Sequence, residues 1–392
     1  MSENAQKPRI RFKGFSDAWE QRKFNELYEK VSEKNDLTYG TDEIISVANM
    51  YFKSDSFITD KEYLRTYNVF HLGDIAFEGN KSKNFAHGRF VENTIGDGIV
   101  SHVFDVFRPK IKYNLLFWKY AINNERLMGG ILVRSTKAST MMTNLVANDF
   151  LQETILVPSL EEQKKIGSIL ENVDNLITLH QRKYDKLVAV KKSLLEKMFP
   201  ADGETVPKIR FKGFSDAWEQ RKLGDTTQII MGQSPDGSTY SDFPTDYILV
   251  QGNADLENGW VKPRIWTTQK TKYAVAGDLI MSVRAPAGSM GKTAYNVVLG
   301  RGVAAIKGNE FIFQVLTKMD LEGFWKKLSA GSTFESLNSD NIINANINLP
   351  SNLEQDKIGS LFEKIDNLIT LHQRQLDKLK NIKSALLEKM FV

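Results

Sequence analysis

The sequence contains no cysteine, which excludes disulfide bonds and thiolate metal sites and makes the reducing cytoplasm the expected compartment. No stretch reaches the ~20 apolar residues of a membrane-spanning helix. The polar start, MSENAQKPR, lacks the apolar segment of a secretory signal. The 392 residues are 41% apolar and 26% charged, as expected for a folded, soluble protein of two or more domains. The net charge of +4 permits local basic patches but does not itself indicate nucleic acid.

Signatures of catalysis are also missing. GSMGKT resembles the end of a phosphate-binding P-loop, but Pro286 stands where that pattern needs its first glycine and has no N–H to donate. There is no Asn-Pro-Pro-aromatic segment, with which base-methylating enzymes hold a flipped adenine, and no glycine-rich cofactor fingerprint. The five histidines show no metal-ligand spacing. We therefore expect no catalytic residue, metal or cofactor in this chain.

The chain repeats itself in two places. IRFKGFSDAWEQRK occupies Ile10–Lys23 and recurs without change at Ile209–Lys222. A longer block from Pro158 to Phe199 recurs with substitutions from Pro350 to Phe391, and DNLITLHQR and LLEKMF are unchanged within it. The order is A–B–C–A–B′–C, where A is the short peptide, C is the long block, and the inserts B and B′ differ. Two copies with a long period indicate a tandem duplication and not a solenoid.

Both C blocks have the heptad periodicity of a coiled-coil helix. Neither contains an internal proline, and the acidic start and lysine-rich end of each suit the helix dipole. Because one such helix cannot bury its own apolar stripe, we expect the two to pack against each other in antiparallel, with pseudo-twofold symmetry between the halves. The predicted seam is Ile166, Val173, His180, Leu187, Leu194, Ile358, Ile365, His372, Leu379 and Leu386. A second, d-like row consists of Ile169, Leu176, Val190, Leu361, Leu368 and Ile382.

The histidines of the seam leave two interpretations open. His180 and His372 could form a metal-binding or pH-sensitive pair, or they could form a polar layer that fixes the register of the helices at some cost in stability. No other histidine and no cysteine stand nearby in sequence, which favours the polar layer.

The inserts B (about residues 24–157) and B′ (about residues 223–349) have the pattern of mixed α/β or β-rich domains. Short β-branched and aromatic runs alternate with turn residues, as in GDIAFEGN of B and GDLIMSV of B′. In both, a Gly-Asp pair precedes a short strand, and the last strand runs into the proline of the C block. Equivalent patterns with different side chains predict one fold with two specificities.

The polar loops of both inserts contain side chains that DNA-binding proteins use. Arg, Lys, Asn and Gln pair with the edges of guanine and adenine, whereas Ser, Thr and Lys hold phosphates. Any one of these residues is equally consistent with a polar surface loop, but basic and amide-rich loops in both inserts favour nucleic acid. The candidate DNA-binding residues are Lys81, Lys83, Asn84, Arg89, Arg134 and Lys137 in B, and Gln233, Ser234, Arg284, Ser289, Lys292 and Arg301 in B′.

The A–B–C–A–B′–C order, the KIRFKGFSDAWEQRKLG opening at Lys208–Gly224 and the PSLEEQKKIGSIL…DNLITLHQR helix resemble the specificity subunit of Type I restriction–modification systems over essentially the whole chain. The resemblance implies two target-recognition domains that each read one half of a split DNA sequence, and spacer helices that set the gap. The expected fold class is α/β (α+β), with two globular target-recognition domains separated by two long antiparallel coiled-coil helices. The predicted parts are target-recognition domain 1 (1–157), spacer helix 1 (158–199), target-recognition domain 2 (200–349) and spacer helix 2 (350–392).

The resemblance also implies the partners. They are double-stranded DNA, two DNA-adenine methyltransferase subunits that carry S-adenosylmethionine, and restriction subunits that use ATP and Mg. The chain itself is expected to be a non-catalytic scaffold in the bacterial cytoplasm, without membrane contact, and to serve host defence. Peptide A then presents an equivalent surface to each methyltransferase, and its unchanged repetition suggests that recombination exchanges recognition domains.

Two rival functions stay open at this point. A single-chain DNA methyltransferase with attached recognition domains would methylate DNA with S-adenosylmethionine alone, although its motifs are missing. A coiled-coil adaptor with two protein-binding domains would bind no DNA in a sequence-dependent way.

Overall fold

The computed structural model describes residues 7–53, 58, 61–138, 142–329 and 335–392. The chain divides into two compact units. The first unit consists of residues 1–179 and 376–392, and the second consists of residues 180–375. Each unit therefore contains one insert, the beginning of the long helix that follows it, and part of the other long helix.

The first unit is a mixed α+β structure. Its strands are β1 (Glu20–Lys23), β2 (Tyr28–Val31), β3 (Ile45–Ser46), β4 (Tyr51–Phe52), β5 (Asn68–Phe70), β6 (Ile75–Glu78), β7 (Arg89–Glu92), β8 (Gly98–Val100), β9 (Val106–Pro109), β10 (Thr136–Ala138), β11 (Thr143–Leu145) and β12 (Thr154–Val157). Its α-helices are α1 (Phe24–Leu27), α2 (Leu115–Ala121), α3 (Glu125–Ser135), α4 (Ala147–Gln152) and the beginning of α5 (Leu160–Met198). Insert B contains an antiparallel sheet in the order β2–β9–β6–β7.

The second unit repeats this composition. Its strands are β13 (Glu219–Lys222), β14 (Ile229–Met231), β15 (Tyr240–Ser241), β16 (Tyr247–Val250), β17 (Leu256–Glu257), β18 (Trp260–Val261), β19 (Ile265–Thr267), β20 (Tyr273–Ala274), β21 (Leu279–Ser282), β22 (Met290–Lys292), β23 (Val297–Leu299), β24 (Val303–Ile306) and β25 (Asn346–Leu349). Its α-helices are α6 (Leu223–Thr226), α7 (Glu310–Leu321), α8 (Phe324–Ser329), α9 (Ser339–Ile343) and the beginning of α10 (Asn352–Lys389). One sheet has the order β14–β24–β21–β22–β18–β17, and the other has the order β15–β19–β16–β23–β20.

The two inserts share a four-stranded antiparallel core. The order β14–β24–β21–β22 of the second unit matches β2–β9–β6–β7 of the first. The predicted Gly-Asp pairs precede β6 and β21. Asp74 binds Arg108 of β9 at 3.0 Å, and Asp278 binds Lys307, just after β24, at 2.5 Å. Burial raises the pKa of Asp74, although the Arg108 guanidinium opposes the rise. The prediction of one fold for both inserts is confirmed.

The C blocks form the predicted long helices, α5 and α10, which begin two residues after Pro158 and Pro350. Within the second unit the two helices run in opposite directions. His180 of α5 faces His372 of α10, whereas Lys191, further along α5, binds Asp366, which lies earlier in α10, at 2.7 Å. Across the described residues, no helix is both long and apolar enough to cross a membrane.

The predicted apolar stripe is only partly covered. Ile166, Val173, Ile358 and Ile365 are buried, and the other six seam residues are half-buried. In the d-like row, Ile169 and Leu361 are half-buried and pack against the hydrophobic cores. The other d-like residues are between 38% and 44% exposed, namely Leu176, Val190, Leu368 and Ile382. The apolar stripe of each helix is therefore wider than the surface that its neighbours cover.

In the first unit, the repeated LLEKMF segment at the end of α10 packs on peptide A. The Phe391 ring stacks on Phe117 with a centroid distance of 5.5 Å and meets the edge of Trp19 at 6.3 Å. The backbone N–H of Ile10 donates to the carbonyl of Lys389 at 2.9 Å.

The second unit repeats this junction with the end of α5. The Phe199 ring stacks on Phe311 at 5.3 Å and meets the edge of Trp218 at 5.9 Å. The backbone N–H of Ile209 donates to the carbonyl of Lys197 at 2.8 Å. Peptide A and LLEKMF are contact partners in both units, which explains in physical terms why both occur twice.

Candidate DNA-recognition surfaces

The first candidate surface combines two loops of the first unit. One is the loop of residues 79–88 between β6 and β7, and the other is the hairpin of β10 and β11. Thr143 of β11 joins them, because its backbone N–H donates to the carbonyl of Gly79 at 2.8 Å and its hydroxyl donates to the carbonyl of His87 at 2.9 Å. Two segments that are far apart in the sequence therefore lie side by side.

Five of the six candidates in this unit are exposed, and four of these five form no ion pair with a described residue. We call these four residues the first patch: Lys81, Lys83, Asn84 and Lys137. Two further hydroxyl residues of the same predicted segment, Ser139 and Thr140, lie outside the described residues. Nothing within the described part of the chain competes with DNA for these side chains, and their role stays a prediction.

Arg89 and Arg134, the other two candidates, are held in intramolecular ion pairs. Arg89 donates to Glu78 at 2.8 Å and to the carbonyl of Ala48 at 2.7 Å. Arg134 forms two bonds with Glu153 at 2.8 and 2.5 Å, and this pairing raises the pKa of Arg134. Either arginine must exchange a carboxylate for a phosphate or a base to contact DNA.

The second candidate surface begins where two segments of the second unit meet. Gln233 and Ser234 follow β14, and Arg301 lies in the turn between β23 and β24. The N–H of Gln233 donates to the carbonyl of Leu299 at 2.9 Å, and the N–H of Arg301 donates to the hydroxyl of Ser234 at 3.1 Å. These bonds hold three candidates together.

Arg284 joins this surface from a neighbouring strand. It follows β21, and the N–H of Val283 donates at 2.9 Å to the carbonyl of Gly302, the residue after Arg301. Both arginines are exposed, and neither forms an ion pair with a described residue. We call Gln233, Ser234, Arg284 and Arg301 the second patch.

Ser289 and Lys292, the remaining two candidates, line a cavity of about 370 Å³ in the second unit. The Lys292 ammonium binds Glu310 at 2.7 Å and lies over the rings of Trp260 and Phe313, at 5.0 and 4.8 Å from their centroids. The side chain of Lys292 is only 12% exposed. Lys292 is therefore packed against aromatic rings and neutralised by Glu310, and we do not count it among the residues of the second patch.

The sequence criteria overlook one segment beside the second patch. Residues 268–272 precede β20, and the hydroxyl of Thr271 donates to the carbonyl of Gln233 at 2.7 Å. The segment carries the exposed cations Lys270 and Lys272. Its signal is visible in the letters TTQKTKY, which mix basic, amide, hydroxyl and aromatic residues, but no glycine-rich turn marks it.

In the first unit, Asp174 of the unchanged DNLITLHQR segment fixes the recognition insert to the helices. Its carboxylate accepts from the hydroxyl of Tyr120 at 2.8 Å and from Lys383, near the end of α10, at 2.7 Å. Tyr120 also donates to Glu171 at 3.0 Å. Burial and these two carboxylates raise the pKa of Tyr120, so its hydroxyl stays a donor.

Asp366 has the equivalent position in the second unit. Its carboxylate accepts from the amide of Gln314 at 2.8 Å and from Lys191, near the end of α5, at 2.7 Å. Gln314 also donates to Glu310 at 2.8 Å. The repeated aspartate thus ties one insert helix and both long helices together in each unit.

The described residues contain no group of three or more His, Cys, Asp or Glu side chains that could hold a metal ion. His180 and His372 are 2.9 Å apart between their Nδ1 atoms. A pair without a third ligand of these kinds among the described residues favours the polar layer over the metal site.

A family comparison finds two copies of the Type I restriction modification DNA specificity domain in this chain, at residues 16–189 and 215–381. Each match contains one insert and most of the long helix that follows it. The boundaries of the matches therefore follow the internal duplication.

One curated relative is named as a specificity subunit. The chain is 30% identical over 246 residues to the type I restriction enzyme MjaX specificity subunit of Methanocaldococcus jannaschii. The aligned region covers 59% of this chain and 57% of the relative. The chain thus matches less than two thirds of the length of that protein.

Two solved structures share the fold. The Type-I restriction-modification system S subunit from M. genitalium is 14% identical with a TM-score of 0.62, over 98% of this chain and 99% of that one. The second structure concerns complex assembly and conformational transition of the type I R-M system, and one of its chains is 22% identical with a TM-score of 0.52. The match covers 95% of this chain and 97% of that one. At these identities the likeness establishes the fold.

Proposed function

The chain belongs to the family of Type I restriction modification DNA specificity proteins, and we propose that it is the recognition subunit of a Type I restriction–modification complex in the bacterial cytoplasm. Each unit reads one half of a split double-stranded DNA target. The first unit does so with the first patch and the second unit with the second patch. The observation that carries the proposal is the twofold family match, in which each copy contains one of these patches.

The charge distribution supports DNA as the ligand. The cations of both patches are exposed and unpaired among the described residues, although the whole chain has a net charge of only +4. Unpaired cations bind the phosphate backbone and release counterions, whereas amide and guanidinium groups beside them read base edges. Two separate patches fit two half-sites better than one continuous site.

The helix pair sets the gap between the half-sites in this proposal. The two long helices have nearly equal lengths of 39 and 38 residues, and the same aspartate contacts fix each insert to them. An insert that is fixed to a rigid helix holds its DNA-reading loops at a set register, which is what a constant gap requires.

The constant frame offers equivalent contacts to two methyltransferase subunits. In the first unit Lys165 lies 5.1 Å from the ring of Phe15 in peptide A, and in the second unit Lys357 lies 4.9 Å from the ring of Phe214. The methyltransferases supply S-adenosylmethionine, and the restriction subunits supply the ATP- and Mg-dependent steps. The chain itself contributes recognition and scaffolding, without a catalytic residue.

Methylome mapping tests this function. The chain is expressed with a Type I methyltransferase subunit that forms a complex with it, in a host without that modification, and methyladenine is located by sequencing. We expect a split motif with two short halves and a constant gap. An assembled complex that adds no methylation would contradict the proposal and favour the adaptor function. Methylation of a continuous motif would contradict the proposal that each unit reads one half of a split target.

A further inference from the structure

We propose that Lys270 and Lys272 form a phosphate-binding ridge beside the second patch, and that this ridge positions Gln233 and Arg301 for base reading. The inference rests on the proposed function and adds residues and a division of roles to it. Lysine and threonine hold phosphates, whereas glutamine and arginine read adenine and guanine.

Backbone hydrogen bonds fix the ridge to the patch from both sides. The hydroxyl of Thr271 donates to the carbonyl of Gln233 at 2.7 Å. The carbonyl of Lys272 accepts from the N–H of Leu299 at 2.8 Å. Leu299 is the last residue of β23, and Arg301 lies in the turn that follows this strand. A phosphate held by the ridge therefore has a defined position relative to both base-reading candidates.

The charge pattern separates this region from the other cations of the insert, apart from Lys326 and Lys327 of α8, which are also exposed and form no ion pair with a described residue. Lys262, Arg264, Lys292, Lys307 and Lys318 all form ion pairs with carboxylates. Lys270, Lys272, Arg284 and Arg301 are exposed and form no ion pair with a described residue. The nearby exposed acid, Asp236, accepts hydrogen bonds from Ser238. A concentration of unpaired cations on linked segments is a costly arrangement unless an anion shares the surface.

The side chain of Lys270 is partly ordered before DNA arrives. Its ammonium lies 4.0 Å from the centroid of the Tyr273 ring, and that ring is 45% exposed. A cation over an aromatic face keeps its N–H groups available on the opposite side. Lys270 can therefore bind a phosphate with less loss of side-chain entropy than a free lysine.

The test compares two double variants in the assembled methyltransferase complex. The probe is a duplex that carries the split motif mapped for the wild-type protein, with either half scrambled in turn. Lys270→Gln/Lys272→Gln removes the ridge charges. Lys326→Gln/Lys327→Gln removes the same charge from α8 of the same insert, where both lysines are exposed and form no ion pair with a described residue. Because both pairs are exposed, neither change is expected to disturb folding, which thermal unfolding checks.

We expect the ridge variant to lose affinity on the order of tenfold and to reduce the salt slope of log Kd by about two, while its methylated sequence stays the same. When the half-site read by the second unit is scrambled, most of the affinity difference between the ridge variant and the wild type should disappear. The control variant should bind the intact duplex as the wild type does. Equal losses in both variants, or an unchanged salt slope in the ridge variant, would overturn the inference. A wild-type complex without a split motif would instead refute the proposed function.

Discussion

The Nδ1 atoms of His180 and His372 lie 2.9 Å apart between the two long helices of the second unit. At this distance one ring donates its Nδ1 proton and the other accepts it. Two imidazoles that are both protonated at Nδ1 cannot keep this bond. Burial, followed by the nearby His180 and Lys183, lowers the pKa of His372 below its ordinary value of 6.5.

This pair predicts a loss of stability in acid. Because the folded pKa of His372 is below the unfolded value, the unfolded state binds the proton more readily, and stability falls as the pH drops through about 6.5. We expect the melting temperature of the wild type to fall between about pH 7.5 and pH 5.5. The variant His180→Leu/His372→Leu should fall less and be at least as stable at the higher pH. Thermal unfolding of the wild type, the double variant and the exposed control His102→Leu measures these melting temperatures. An equal decrease of the melting temperature in acid for all three proteins would refute the prediction.

Arg11 and Glu162 form a two-point ion pair at 2.7 and 2.8 Å, and the Glu162 side chain is 1% exposed. Arg11→Met leaves a buried carboxylate without its partner, which we expect to lower the free energy of unfolding by about 3–5 kcal/mol. Arg134→Met breaks the pair with Glu153, in which the arginine is 60% exposed, and should cost less than about 1 kcal/mol. Denaturant unfolding measures both values. Similar small losses would show that the frame does not depend on the buried pair.

Gly167 allows helix α2 to approach α5 closely. A Cβ at this position would lie 2.7 Å from both the Cβ of Leu116 and the backbone nitrogen of Phe117, so one element must move. We expect Gly167→Ala to lower the free energy of unfolding by about 1–3 kcal/mol. Gly130→Ala in α3, where the nearest atom is the end of Arg134 at 3.7 Å, should instead gain up to about 1 kcal/mol from helix propensity. Stabilisation by both substitutions would contradict a packing constraint at Gly167.

Glu92 is a buried acid of the first unit, 3% exposed, and neither carboxylate oxygen has a hydrogen-bond partner among the described residues. Burial raises its pKa well above the ordinary 4.5, and Lys119 opposes this only in part. The folded state therefore holds the proton more tightly than the unfolded chain, and the resulting stability is lost as the pH rises above about 4.5.

Glu92→Gln removes this pH-dependent loss. We expect the difference in unfolding free energy between variant and wild type to shift in favour of the variant from about pH 5 to about pH 8. Denaturant unfolding at both pH values measures the shift. Glu29→Gln, an exposed substitution in the same unit, should show no such trend. A constant difference for Glu92→Gln would mean that this carboxyl is ionised in the folded state.

The architecture could be predicted because it depends on patterns that extend over many residues. Heptad spacing indicates α5 and α10, and the repeated Gly-Asp pairs locate β6 and β21. The exposed d-like residues show the limit of this reasoning. Periodicity identifies an apolar stripe, but it does not show how much of that stripe a partner covers.

The candidate site was harder to predict, because its residues depend on contacts between distant segments. Arg89 and Lys292 have the right chemistry, yet Glu78 and Glu310 hold them in ion pairs. No local pattern shows such partners. The same limit hides Lys270, whose relevance depends on hydrogen bonds that bring its segment next to Gln233.

The central claim is that each unit reads its own half of the DNA target. Peptide A ends in the same EQRK strand before each insert, and that strand pairs with the last strand of the insert in both units. We therefore expect that an insert can be exchanged within this frame. The most direct measurement replaces residues 223–349 with a copy of residues 24–157 and maps methyladenine for the assembled complex. The account predicts a split motif whose two halves are the same sequence in inverted orientation. A motif that keeps two different halves would contradict it.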